Sequence, residues 1–156
     1  MCGLFGMLLN EGFNKNEIFI NKIKQFLNHR GPDGSGCVVW NKNWSSAKKI
    51  DKDLNNLDNF KILLWHTRLS ILDLSDNGSQ PMVSEDGRFI LAYNGEIYNF
   101  LEIKQKLIKL NYNFKSESDT EVLIKAWQHW GQNCLKIFDG MFAFSLIDLR
   151  LKKLYL

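Results

Sequence analysis

Strand-length apolar runs follow one another in this chain, with helical blocks set apart from them, and that order constrains the fold more than any other feature. Cys2 to Leu9 is a short apolar run closed by Asn10-Glu11-Gly12, which reads as a buried strand followed by a turn. Ile18, Phe19, Ile23, Phe26 and Leu27 then recur at helical spacing, with Asn14 or Asn16 available as N-cap. Pro32 and the glycines between His29 and Gly36 cannot continue that helix and imply a shaped loop. Cys37 to Trp40 reads as a strand, and 41–60 as a polar surface excursion without periodicity. Lys61 to Ile71 and Arg88 to Tyr93 are the next strands, separated by a turn-rich segment holding Asp76-Asn77-Gly78 and Pro81.

Two helices come after these strands. Phe100 to Leu110 places Leu101, Ile103, Leu107, Ile108 and Leu110 largely on one side. Ser118-Asp119-Thr120-Glu121 has the form of a capping box and opens a second helix that Gly131 stops. Met141 to Ile147 is a strong strand, and Lys153 to Leu156 its return after a turn at 148–152. Runs of strands interrupted by helical blocks, in place of alternating β-α-β units, predict an α+β fold with mainly antiparallel sheets.

At 156 residues and 45% hydrophobic content the chain suits one folded domain, taken here as 2–156. The hairpin cut short at Leu156 suggests a fragment of a longer protein. A net charge of +3 without a basic block gives no reason to expect nucleic acid as a partner. No run approaches the ~18–20 apolar residues of a membrane span, and the start lacks a basic leader, so no membrane association and a cytoplasmic location are expected. The three cysteines, Cys2, Cys37 and Cys134, show no C-x-x-C spacing, which argues against a disulfide framework or a metal site.

A cysteine at position two is weak as a signal, because a free Cys is commonly a small buried apolar side chain. Its company is informative: Met1-Cys2-Gly3-Leu4-Phe5-Gly6, His29-Arg30-Gly31-Pro32-Asp33-Gly34, His66-Thr67-Arg68-Leu69-Ser70-Ile71, Ala92-Tyr93-Asn94-Gly95-Glu96-Ile97-Tyr98-Asn99, Ser118-Asp119-Thr120-Glu121 and Gly140-Met141-Phe142-Ala143-Phe144. In this order the blocks resemble the glutaminase domain of class II, N-terminal nucleophile, glutamine amidotransferases, in the asparagine synthetase branch. The sister branches that make glucosamine 6-phosphate or phosphoribosylamine share the Cys and the Asn-Gly pair but differ at the His29–Gly34 loop and at Glu96–Asn99.

The resemblance implies a four-layer α/β/β/α sandwich, with two mainly antiparallel sheets between helical layers. It also implies hydrolysis of L-glutamine to glutamate and ammonia through a thioester on Cys2 once Met1 is removed. No histidine is needed, since a free α-amine, with a pKa near ~7.7–8.0, can take the thiol proton. His129 and His66 read as structural. By the same resemblance Asn94 and Gly95 form an oxyanion hole, Arg68 clamps the α-carboxylate, and Glu96 and Asp119 receive the α-ammonium. Asn94-Gly95 taken alone reads as a hairpin turn, a reading that the surrounding blocks reverse, and Asp119 also suits a helix N-terminal acid.

Arg30 and Asp33 are expected to brace the floor under Cys2, Leu69 and Ile71 to line an ammonia exit, and Tyr98 and Asn99 to shape the pocket edge. Gly140 to Phe144 is expected in the core. No cofactor is expected in this domain; ATP and magnesium belong to a C-terminal synthetase domain that would amidate aspartate. A homodimer is left open. The alternatives are a glutaminase serving a sugar or peptide acceptor, and a non-catalytic glutamine-binding module.

Overall fold

The computed structural model describes residues 2–9, 17–41, 47–50 and 60–156. The chain divides into two compact units, Met1–Leu69 and Ser70–Leu156. The first carries β1 (Gly3–Leu8), α1 (Glu17–Leu27), β2 (Gly34–Asn41), β3 (Ala47–Ile50) and β4 (Phe60–Arg68). These four strands form one antiparallel sheet in the order β1-β4-β2-β3.

Strand alternation explains how this sheet is buried. Phe5, Cys37 and Trp65 lie at matched register positions, as do Met7, Val39 and Leu63, and this face packs against Ile23 and Leu27 of α1. The opposite face carries Val38, Trp40, Ile62 and Leu64, and these are buried as well. β4 is therefore buried from Ile62 to Thr67 and apolar from Ile62 to Trp65, without alternating with polar residues there.

Two differences from the sequence reading have one cause. β2 begins at Gly34, three residues before the expected Cys37, and β3 falls within the stretch read as an aperiodic excursion. Gly34, Ser35 and Gly36 pair with Arg68, Thr67 and His66, and Ala47 to Ile50 pair with Trp40 to Cys37. The pairing partner imposes the strand where composition gives no sign of it. β4 also stops at Arg68, so Leu69 and Ile71 lie beyond the strand. The turn at 10–12 and both N-cap candidates, Asn14 and Asn16, fall outside the described residues.

The second unit holds β5 (Met82–Val83), β6 (Phe89–Ile97), α2 (Phe100–Lys109), α3 (Asp119–Trp130), β7 (Gly140–Asp148) and β8 (Lys153–Tyr155), with its sheet in the antiparallel order β5-β6-β7-β8. Phe89, Leu91, Tyr93, Ile97 and Leu146 face Ile103 and Leu107 of α2 and Val122, Leu123, Ala126 and Trp127 of α3. Ile90, Ala92 and Ile147, on the other side of the sheet, are buried too. Burial on this second face is confined to the middle of the sheet, since Glu96, Met141 and Ala143 are exposed.

α2 is narrower in its contact than its sequence suggests: Ile103 and Leu107 are buried, whereas Leu101, Ile108 and Leu110 are exposed. A stripe of three to four positions in two turns suffices to seat a helix. α3 is capped on one side only. Ser118 Oγ accepts the Glu121 N–H at 3.3 Å, but the Glu121 carboxylate accepts the N–H groups of Lys115 and Ser116 instead of returning to Ser118. Gly131 follows the helix at φ 58°. Gly140 to Phe144 is not wholly core, because Met141 and Ala143 are exposed while Phe142 and Phe144 rest on the helix-side cluster.

Among the described residues no helix is long and apolar enough to cross a membrane.

The β7–β8 turn is closed by Asp148. Its carboxylate accepts Arg88 Nε at 3.1 Å and Nη2 at 2.7 Å, and the N–H groups of Arg150 and Leu151 at 3.0 Å each. Burial by itself would raise this carboxyl, but the Arg88 fork and the turn amides outweigh it and hold the group below the ordinary carboxylate range. A depressed folded pKa contributes stability above the unfolded value near ~3.9, and that stability is lost as pH falls through the folded value. Asp148→Asn should cost about 1.5–3 kcal/mol in urea denaturation at neutral pH. The gap from the parent should close below about pH 4; a gap constant with pH would show that the charge is not the source.

Candidate active site

The first unit builds its polar end around Thr67, the penultimate residue of β4. Its hydroxyl accepts the Gly3 N–H at 3.1 Å and donates to the Leu27 carbonyl at 3.1 Å. One side chain thereby joins the start of β1, the last residue of α1 and β4. Gly3 is required by the closeness of this joint: a Cβ there would run into Thr67 Oγ1 and lie 3.2 Å from Arg30 Cβ and 3.3 Å from Leu27 Cδ2.

Cys2 stands immediately outside the joint. It is half-buried, whereas Cys37 and Cys134 are buried. The Leu69 N–H reaches Cys2 Sγ at 3.4 Å, and the thiol points back to the Leu69 carbonyl at 3.8 Å. Leu69 therefore meets the cysteine through its backbone. Arg68, half-buried, is the last residue of β4, and its carbonyl accepts the Asp33 N–H at 3.0 Å. Arg30 ends a short 3-10 turn after α1 and is half-buried beside Gly3, while Asp33 is exposed. Cys2, Arg30, Arg68 and Leu69 thus gather at one end of this sheet.

In the second unit Asn94, Gly95 and Glu96 continue β6 and pair with Ala143, Phe142 and Met141 of β7. The pair Asn94-Gly95 is strand, not hairpin turn. Alternation puts Asn94 and Glu96 on the face away from Tyr93 and Ile97, and so away from the helices. Gly95 is again demanded by packing, since a Cβ would strike Phe142 Cβ and approach the Met141 carbonyl oxygen at 2.5 Å. Ile71 is exposed.

Asp119 opens α3 and is buried, with its Oδ2 accepting the Tyr93 hydroxyl at 2.6 Å and the Ile97 N–H at 3.1 Å. Desolvation raises this carboxyl above the ordinary range despite those hydrogen bonds. Tyr98 is exposed. Asn99 is a latch: its Nδ2 donates to the Ile137 carbonyl at 2.9 Å and its Oδ1 accepts the Asp139 N–H at 3.0 Å, fixing the start of α2 to the approach of β7.

Three supporting residues escape the sequence reading: Thr67, Gln80 and Tyr93. Gln80 Oε1 accepts the Tyr93 N–H at 2.6 Å and its Nε2 donates to Thr120 Oγ1 at 3.2 Å, so it ties β6 to α3. The one available signal was position, since Thr67 and Tyr93 adjoin Arg68 and Asn94. His66 is buried within β4, and His129 is exposed near the end of α3.

The sequence matches the glutamine amidotransferase domain family over residues 1–156. It is 38% identical to a putative glutamine-hydrolysing asparagine synthetase 2 of Methanocaldococcus jannaschii, over 95% of this chain and 28% of that protein. It is 32% identical to a glutamine-hydrolysing asparagine synthetase 1 of Bacillus subtilis, over 94% of this chain and 20% of that protein. The chain therefore spans less than a third of either relative. Among solved structures, the glutamine phosphoribosylpyrophosphate amidotransferase from B. subtilis, complexed with ADP and GMP, matches with a TM-score of 0.75 and 23% identity. That match covers 94% of this chain and 35% of the other, and it shows a shared fold.

Thr67→Val keeps the shape of the joint but leaves the buried Gly3 N–H without its acceptor. It should cost about 1–3 kcal/mol in chemical denaturation. Thr67→Ser, which retains the hydroxyl, should recover most of that loss; equal losses in the two variants would mean that packing of the methyl, not the hydrogen bonds, holds the joint.

Proposed function

Because the chain belongs to the glutamine amidotransferase family, we propose that it hydrolyses L-glutamine to L-glutamate and ammonia, with Cys2, freed of Met1, as the nucleophile. Its α+β fold is that of the N-terminal nucleophile hydrolases. The observation that carries the reading is the Cys2 thiol itself: half-buried at the head of β1, its sulfur lies against the Leu69 N–H in the residue after Arg68. The other two thiols are buried, and burial pushes each up to about 12, which leaves them unreactive at neutral pH.

In this mechanism the Cys2 α-amine takes the thiol proton, directly or through a water, as sulfur attacks the side-chain amide carbon of glutamine. The oxyanion receives the Asn94 side-chain amide and the Gly95 N–H. Collapse breaks the C–N bond, the α-ammonium returns its proton to the departing nitrogen, and ammonia leaves with a γ-glutamyl thioester on Cys2. Water activated by the same amine then attacks the thioester carbonyl, releasing glutamate and restoring the thiol. Arg68 suits the substrate carboxylate because a planar guanidinium can donate two parallel hydrogen bonds. Glu96 and Asp119 receive the α-ammonium, and Arg30 and Asp33 brace the end of the sheet that carries Cys2.

The names of the relatives support a further step. In the whole protein, a synthetase domain beyond Leu156 would use the ammonia to convert aspartate to asparagine, with ATP and magnesium serving that domain and no residue of this chain. Leu69 and Ile71 would border the exit of ammonia. A reducing, cytoplasmic compartment suits three free thiols.

Cys2→Ala should abolish glutamate release while leaving glutamine binding measurable by calorimetry. Asn94→Ala should act on turnover, lowering kcat by about 10²–10³ with a smaller change in KM. Protein that retains Met1 or an N-terminal tag should be folded but inactive, because an amide nitrogen cannot accept the thiol proton, and proteolytic exposure of Cys2 should restore activity. Full-rate hydrolysis by tagged protein, with its N-terminus verified by mass spectrometry, would overturn the N-terminal nucleophile mechanism.

A further inference from the structure

A buried carboxylate needs a reason to remain charged, and among the described residues no cation is paired with Asp119. The neighbours that hold it are neutral donors: the Tyr93 phenol at 2.6 Å, the Ile97 amide at 3.1 Å and backbone amides at the start of its own helix. The nearby charges are turned elsewhere. Glu121 on α3 accepts the N–H groups of Lys115 and Ser116 and faces Lys125, while Lys104 on α2 donates to the Ser116 carbonyl and to Glu117. On β6 the other carboxylate, Glu96, is exposed. A carboxylate serving only the helix dipole would bond its own first-turn amides and nothing further; this one does so and also reaches across to the neighbouring strand.

Tyr93 is what it reaches. The residue is 2% exposed, with its ring in the helix-side core and its own N–H donating to Gln80 Oε1, whose amide holds Thr120. Strand and helix are thus tied twice at this one position, through Asp119 and through Thr120. The phenol and the amide that β6 donates both fall on Oδ2, which sets the plane of the carboxyl.

We propose that Tyr93 is a positioning residue for glutamine binding, holding Asp119 in the orientation and ionised state in which it receives the substrate α-ammonium. This rests on the role given to Asp119 in the preceding section. Desolvation already works against ionisation of Asp119, and the phenol is the first of the hydrogen bonds that oppose it. Without that donor the carboxyl would protonate at higher pH, and binding of a cationic group would fail earlier on acidification.

The test is glutamine binding by calorimetry in the Cys2→Ala background, where no turnover occurs, from about pH 4.5 to 6.5, a range in which the two α-groups of glutamine do not change charge. Tyr93→Phe keeps the ring and should move the acidic loss of affinity upward by about one pH unit, so that affinity falls about tenfold within that window. Asp119→Asn should weaken binding across the range and remove the part of the acidic loss that Glu96 does not cause. Adding Tyr93→Phe to Asp119→Asn should then change little. If Asp119→Asn weakens binding but Tyr93→Phe leaves the pH profile in place, the positioning role is overturned and the assignment of Asp119 stands. If Asp119→Asn binds glutamine as well as its parent, the assignment of Asp119 falls, and the proposal with it.

Discussion

One hydroxyl sets the geometry on which the proposed nucleophile depends. A residue at position two belongs to the part of a chain that frays first, because little of its backbone is fixed on the N-terminal side. Thr67 counters this by accepting the Gly3 N–H while donating to the end of α1. The terminus is thereby bonded to two elements that are distant in sequence and independently packed. Gly3 follows as a necessity, since any side chain would occupy the position of the hydroxyl. Cys2, one residue further out, keeps enough exposure to meet a substrate and has its sulfur set against the Leu69 amide.

The second unit solves a related problem with a single strand. β6 runs from the core to the proposed oxyanion donors without a break, and its two faces take different tasks. Leu91, Tyr93 and Ile97 pack under α2 and α3, and Asn94 and Glu96 alternate with them on the other face. A strand buried on one side and paired along its length with β7 holds its polar residues more rigidly than a loop would. Gly95 lies where β7 approaches closely, and a side chain there would strike Phe142.

Much of this was legible in the sequence, and the parts that were not share a physical cause. Helical spacing and the Ser118 and Gly131 signals placed α3 closely, because caps and periodicity act within a few residues. The early start of β2 at Gly34 and the existence of β3 were not legible, since both arise from pairing with strands far along the chain. Asn94-Gly95 shows the same limit. The dipeptide favours a hairpin turn locally, and nine residues of pairing with β7 override it. The candidate site residues were recognisable by type and company. Thr67, Gln80 and Tyr93 were not, because each matters through partners 13 to 64 residues away, such as Tyr93 for Gln80 and Gly3 for Thr67.

The three cysteines show how burial separates chemistry from packing in one chain. Cys37 lies among Val39, Leu63 and Trp65, and Cys134 lies under α3. Desolvation pushes both thiols up to about 12, so both stay protonated at neutral pH and behave as small apolar side chains. Cys2 differs from them in burial: the core stops at Gly3, and the next residue outward is half-exposed. In the proposed mechanism, with Met1 removed, the same residue would also supply its α-amine as base. Nucleophile, base and access to solvent would then follow from one position, which the Thr67 joint holds in place.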